Sequence, residues 1–291
     1  MRGALASQQR RLFWLFLVPG LIYLIGVRIA PAATTLFMGF TDWNLVRNQA
    51  PRWIGFANYT KLLEDTPFLG ALGRSLAFAA VATVIELALG LAIAIFVNRE
   101  MRGRTPLRAV VLTPMVITPA VVGLIWYILF HRAIGPFNWF LSGVGLGPID
   151  WLGDPVIAPL AILIADVWHW TPFMFLLSLS ALQTVPKELY EAADVDGGSS
   201  WQTFRLITLP LVRDNLVVAC ILRAIEAFEI FAEPFVMTGG GPGRATETVS
   251  LHIYKSAFTF FEMGYAGAMI AVCVILVGAL YSLYLRHVRF D

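Results

Sequence analysis

The chain has 291 residues, 58% of them hydrophobic and only 14% charged, with a formal net charge of +2. That makeup excludes an average soluble globular domain, and so slight a positive balance gives no footing for nucleic-acid binding. It is the composition of an integral membrane protein, in which the placement of charge matters more than its sum.

Arg2, Arg10 and Arg11 precede a first apolar run over 12–29, long enough to cross a bilayer at ~1.5 Å per residue. Ala30-Pro31-Ala32 resembles a signal-peptidase site. The run is nevertheless longer than the ~7 to 15 residues of a secretory core, so it is expected to stay as an uncleaved span. Further apolar runs at 72–97, 107–130, 156–182, 211–236 and 265–285 predict an all-α membrane protein of six spans, one transmembrane domain over 1–291. With Arg2, Arg10 and Arg11 inside, the inner side also collects Arg99, Arg102, Arg104, Arg108, Lys187, Arg205, Arg213, Arg286 and Arg289. The outer side has only Arg47, Arg52, Lys61, Arg132, Arg244 and Lys255, so the positive-inside rule puts both termini in the cytoplasm.

Outer loops hold Trp43, Trp53, Trp139 and Trp151, for which anchoring at the membrane interface is the plainer reading. Pro114 and Pro119 should break the third span, and Pro155, Pro159 and Pro172 should start and bend the fourth. Glu86 in the second span is polar and expected to face inward. The fourth span carries Asp166, Trp168, His169, Trp170 and Thr171, aromatic faces beside hydrogen-bonding groups, a combination suited to a sugar. These are candidate path residues, although a lone membrane histidine more often packs against a neighbour. Cys220 and Cys273 lie inside apolar runs, which suggests packed thiols and no metal site.

Between the fourth and fifth spans, 184–210 is a punctuated polar loop. Pro186, Glu188 and Glu191 mark a helix start, Gly197 and Gly198 supply left-handed backbone at its end, and Ser199 with Gln202 makes a capping box for the next helix. Helix, sharp turn, helix, then Pro210 should form a stiff elbow. In the fifth span Arg223, Glu226, Glu229 and Glu233 recur at helical spacing, either as a structural ion pair or as a polar stripe beside a solute path. Arg223 can neutralise Glu226 or an acid on another helix, and Glu233 beside Pro234 fits the outer mouth. The outer stretch Thr238-Gly239-Gly240-Gly241-Pro242-Gly243 lacks the Lys-Ser/Thr of a phosphate loop and should simply turn. No P-loop, zinc-protease motif or nucleophile with a base is present in the sequence.

Glu191-Ala192-Ala193, three residues, Gly197, nine residues, then Ile207-x-Leu209-Pro210 resembles the loop of permease subunits in bacterial binding-protein-dependent ABC importers. The glycine loop with Thr246, Trp168 with Trp170 to Phe173, and Asp196-Gly197 before Trp201 resemble the carbohydrate, maltose-permease-like first-of-pair subclass. The resemblance implies a type I importer fold in the cytoplasmic (inner) membrane, with a cytoplasmic coupling helix over Glu191–Gly197. Glu191, Ala192, Ala193, Asp196, Gly197, Trp201, Leu209 and Pro210 would then face or brace an ATPase. It also implies a second permease subunit, a paralogue or a copy, two ATPase subunits holding ATP and Mg, and an extracytoplasmic solute-binding protein. This chain itself would bind no cofactor and catalyse nothing. A sugar, oligosaccharide or polyol is the expected solute. A glycerol-phosphate derivative, an ion-coupled secondary transporter using the membrane acids, and a membrane enzyme are the competing readings.

Overall fold

The computed structural model describes residues 2–47, 49–99 and 103–287; Arg102 and Arg289, counted above on the inner side, lie outside them. Among the described residues the chain is helical, with one isolated bridge, Thr41 to Trp53, and no strand. It divides into two compact units, Met1–Asp65 with Ile253–Gly278, and Thr66–His252 with Ala279–Asp291.

In the first unit α1 (Arg2–Leu24) passes through a π-turn at Ile25–Ile29 into α2 (Ala30–Met38). The helix therefore runs well beyond the expected end at residue 29. Pro31 does not stop it, because the widened turn just before it relieves the clash of its ring with the carbonyl four residues back. From Phe13 to Met38 the helix is long and apolar enough to span a membrane, and none of its most apolar window is buried by the chain. α3 (Ala57–Glu64) is tied down by Asn58, whose Nδ2 donates to the carbonyls of Gly39 and Thr41, both at 2.9 Å. α14 (Met263–His287) begins against this unit with its backbone in direct contact: a Cβ on Gly267 would stand 2.6 Å from the carbonyl oxygen of Thr35.

In the second unit α4 (Thr66–Asn98) and α8 (Ile157–Leu182) form the central pair. Their crossing is at Gly90, where an added Cβ would lie 2.6 Å from the Phe175 nitrogen, so only hydrogen fits. Around it Ala94, Val97, Phe175, Leu179, Leu182, Val212 and Leu216 are buried together. Pro172 lies inside α8 without ending it. The third span is broken where its prolines require: α5 (Arg104–Leu112), a 3-10 turn at Pro114–Val116, extended backbone at Ile117 and Thr118, then α6 (Pro119–Leu129). α7 (Pro136–Gly143) follows, with α9 (Lys187–Val195) and α10 (Ser200–Thr203) in the polar loop.

The fifth span departs from its expected extent. α11 (Leu209–Phe228) ends with Glu229 as its cap, Phe231 leaves the helical region, and α12 (Ala232–Thr238) is a separate helix. Pro234 accounts for the break, since its ring cannot follow a helical carbonyl at Ile230. The freed oxygens are recovered by hydroxyls beside α13 (Val249–Tyr254): Thr248 donates to Ile230 at 2.9 Å and Ser250 to Glu229 at 3.0 Å. Apart from Phe13–Met38, the helices long and apolar enough to span among the described residues are Thr66–Asn98 and Ile157–Leu182; Pro119–Leu129 and Met263–Ala279 are shorter apolar helices.

Candidate functional site

Three places in the second unit hold the residues singled out by sequence. The first is the elbow. α9 starts at Lys187, one residue after Pro186, which stands at the N-cap, with Glu188 in the first turn. Its end is a Schellman closure: the Gly198 nitrogen donates to the Ala193 carbonyl at 2.9 Å and the Gly197 nitrogen to Asp194 at 3.2 Å, with Asp196 as the cap. Gly197 alone is left-handed, at φ +71°; Gly198 is not, and its role is to approach Ala193 closely. The capping box forms as expected, Ser199 nitrogen to Gln202 Oε1 at 2.9 Å and Gln202 nitrogen to Ser199 Oγ at 3.3 Å.

Glu191, Ala192 and Trp201 face solvent, while Ala193 is buried beneath them. Leu209 and Pro210 are exposed at the start of α11 and do not end the second helix of the elbow. α10 continues through a π-turn at Phe204–Thr208 into α11, the same solution to a following proline seen before Pro31. Sequence reading missed the brace: Thr208 Oγ donates to the Tyr190 hydroxyl at 3.2 Å, joining α9 to that π-turn. A cavity of about 410 Å³, lined in part by Asn98, Arg99, Tyr190 and Asp194, lies between the elbow and the ends of α4 and α8. The elbow thus offers an exposed acidic and aromatic face on a frame fixed by hydrogen bonds.

The second place is a buried charge cluster. Arg223 on α11 donates from Nε to Glu86 Oε2 at 2.5 Å, from a terminal nitrogen to Glu86 Oε1 at 2.9 Å, and from that same nitrogen to Asp166. Its guanidinium also lies 5.1 Å from the ring centre of Trp170. All three charged side chains are 1% exposed or less, so each acid requires the cation between them. The expected partner choice is therefore settled in favour of acids on other helices, α4 and α8. Asp166 is committed to this pair and faces no open space. His169 is also fully buried: its Nε2 meets the Ile117 carbonyl oxygen at 3.0 Å, and its Nδ1 lies 3.5 Å from Glu233. Glu233 is thus buried inside the helix bundle.

The stripe expected along the fifth span does not exist as one face. Arg223 is buried, Glu226 is exposed on α11, Glu229 is exposed at its cap, and Glu233 belongs to another helix. Trp168, 38% exposed, opens instead onto an apolar groove of about 580 Å³ that includes Trp126, Pro114, Leu89 and Pro172.

The third place is the glycine loop. Gly239, Gly240 and Gly243 all have positive φ, which is why glycine recurs there. Thr238 and Thr246 share a hydrogen bond at 2.6 Å, and Thr246 Oγ donates to the Gly241 carbonyl at 2.8 Å. Pro242 lies between these anchored glycines, so the segment is a closed, internally bonded turn, as expected.

Comparison with known proteins places this geometry. Residues 86–290 match the family described as binding-protein-dependent transport system inner membrane component. The chain is 37% identical to the trehalose/maltose transport system permease protein of Thermococcus litoralis, over 100% of its own length and 98% of the relative's. It is 34% identical to the sulfoquinovosyl glycerol transport system permease protein of Agrobacterium fabrum, over 96% and 91%. In fold it matches a chain of a bacterial ABC transporter that imports alginate, with a TM-score of 0.85 at 21% identity, covering 99% of this chain and 100% of that one.

Proposed function

Since this chain belongs to the family of binding-protein-dependent transport system inner membrane components, we propose that it is the permease subunit of an ATP-driven importer whose solute is a sugar, oligosaccharide or polyol. The observation that carries the solute class is the end-to-end likeness to a trehalose/maltose permease. The family's dependence on a binding protein supports delivery by an extracytoplasmic partner, and the absence of a phosphate-binding loop from the sequence supports a separate ATPase. In this reading α9 is the coupling helix. Its Schellman end, its capping box and the Tyr190–Thr208 brace make it stiff enough to pass on a rigid-body movement that a floppy loop would absorb.

Glu191, Ala192 and Trp201 form its docking face, and the chain crosses the inner membrane six times with both termini in the cytoplasm. The apolar first helix, bare in this chain, would be covered by lipid and by a second permease subunit. Trp168, on its apolar groove, and Glu226 and Glu229, exposed on α11 and at its cap, are the candidate path residues left open to a solute. A glycerol-bearing solute is the second reading, favoured by the name of the sulfoquinovosyl glycerol relative.

Thermal-shift screening of the cognate binding protein against free sugars, polyols and glycosyl glycerols tests the solute class; stabilisation by sugars or polyols is expected, and stabilisation by the glycosyl glycerols alone decides for the second reading. Transport by the purified chain in liposomes lacking any ATPase would instead establish an ion-coupled carrier.

A further inference from the structure

The ring of His169 lies between two oxygens that both accept. Its Nε2 is 3.0 Å from the carbonyl of Ile117, in the break between α5 and α6, and its Nδ1 is 3.5 Å from Oε1 of Glu233, on α12 beyond the break in the fifth span. The two side chains are 1% and 3% exposed, and neither Nδ1 nor Oε1 has a hydrogen-bond partner. A neutral imidazole owns one N–H, and a carbonyl can only accept, so that proton belongs on Nε2. Nδ1 then turns a lone pair toward a carboxylate that also has only lone pairs to offer. Two acceptors cannot face each other in a dry interior without cost to both.

The surroundings push the same way. Glu86 from α4, Asp166 from α8 and Glu226 from α11 act on this region together with Glu233, opposed by Arg223 from α11 and, when it is protonated, by His169 itself. The broken third span contributes the Ile117 carbonyl and, in α6, no charged side chain. One guanidinium already shared between Glu86 and Asp166 leaves Glu233 without a counter-charge.

We propose that the His169–Glu233 pair is a proton-binding site, holding one proton beyond a neutral imidazole and an ionised carboxylate. With it, Nδ1–H···Oε1 or O–H···Nδ1 closes, and His169 fastens the unwound junctions of both the third and the fifth span to α8. His169 is accordingly a positioning residue, and its ligand is a proton whichever solute the importer carries.

The test uses the full chain, purified with its partner subunits and labelled with ¹⁵N-histidine. The His169 signals, assigned by their loss in His169→Gln, should report two protonated nitrogens at neutral pH. If the proton resides on the acid instead, a carboxylic-acid infrared band that vanishes in Glu233→Gln takes their place. In Glu233→Gln the amide N–H satisfies Nδ1 without an extra proton, so His169 should report a single protonated nitrogen there. A neutral His169 with no acid band dependent on Glu233, the pattern of a water bridging two acceptors, overturns the proposal. Should either variant fail to accumulate, His252→Gln still decides, since it removes the other buried histidine–carboxylate pair among the described residues, His252 with Glu247 at 2.6 Å. That chain must show a doubly protonated histidine or an acid band at neutral pH, and the absence of both is equally fatal.

Discussion

At the scale of single residues, Arg223 and Gly90 carry more of the fold than their neighbours, for opposite reasons. Among the described residues Arg223 is the largest of the fully buried side chains, and it links Glu86 to Asp166. Arg223→Met should destabilise the second unit by about 3–5 kcal/mol, because it leaves two acids buried without a cation. Replacing Glu86 and Asp166 by Gln and Asn in the same chain should recover much of that, and thermal unfolding in detergent measures both. Gly90 matters through what it lacks. Gly90→Ala drives a methyl into the backbone of α8 and should cost on the order of 1–3 kcal/mol, seen as lower yield and lower Tm. Neither role could be read from sequence, since an apolar window gives no sign of where two helices touch, and Glu86 stands 137 positions from Arg223. That an ionised residue within a span would need a partner was legible; which partner was not.

At the scale of elements, prolines explain both the breaks and the continuities. The breaks at Pro114 and Pro119 follow from the sequence, and the end of α11 before Pro234 obeys the same rule, with Thr248 and Ser250 recovering the freed carbonyls. The expectation of one helix over 211–236 gave the spacing of the four charged residues more weight than that proline, and so assembled a stripe the chain does not form. Before Pro31 and Pro210 a π-turn absorbs the disturbance and the helix goes on. The elbow was the most legible element, because caps are short-range chemistry written within a few residues. Gly197→Asp places a side chain at φ +71° with nothing within 4 Å to collide with, so only backbone strain of ~1–2 kcal/mol is added. The variant should reach the membrane in normal amount yet lose uptake and stimulated ATP hydrolysis; full activity would remove the coupling role. Ser199→Ala should loosen the start of α10 by roughly 1 kcal/mol, read as faster amide exchange at Gln202 and Thr203.

For the whole molecule, sidedness is the property on which the functional reading stands. In a background of Cys220→Ala and Cys273→Ala, Val195→Cys on the elbow should react with an impermeant maleimide only from the cytoplasmic face, and Arg244→Cys in the glycine loop only from the outer face; the reverse pattern would invert the topology. The Arg223 cluster also constrains how the chain is made. Synthesis runs from the N-terminus, so Glu86 and then Asp166 enter the translocon before their counter-ion exists, each at ~2.5 to 3.5 kcal/mol if ionised at mid-membrane. They must go in protonated, or wait beside the channel until α11 emerges. A chain stopped after Thr184 should therefore keep its fourth span loosely inserted and open to extraction by alkaline carbonate, while extension through Phe228 should seal it. The order of birth of three helices is thus written into the position of one arginine.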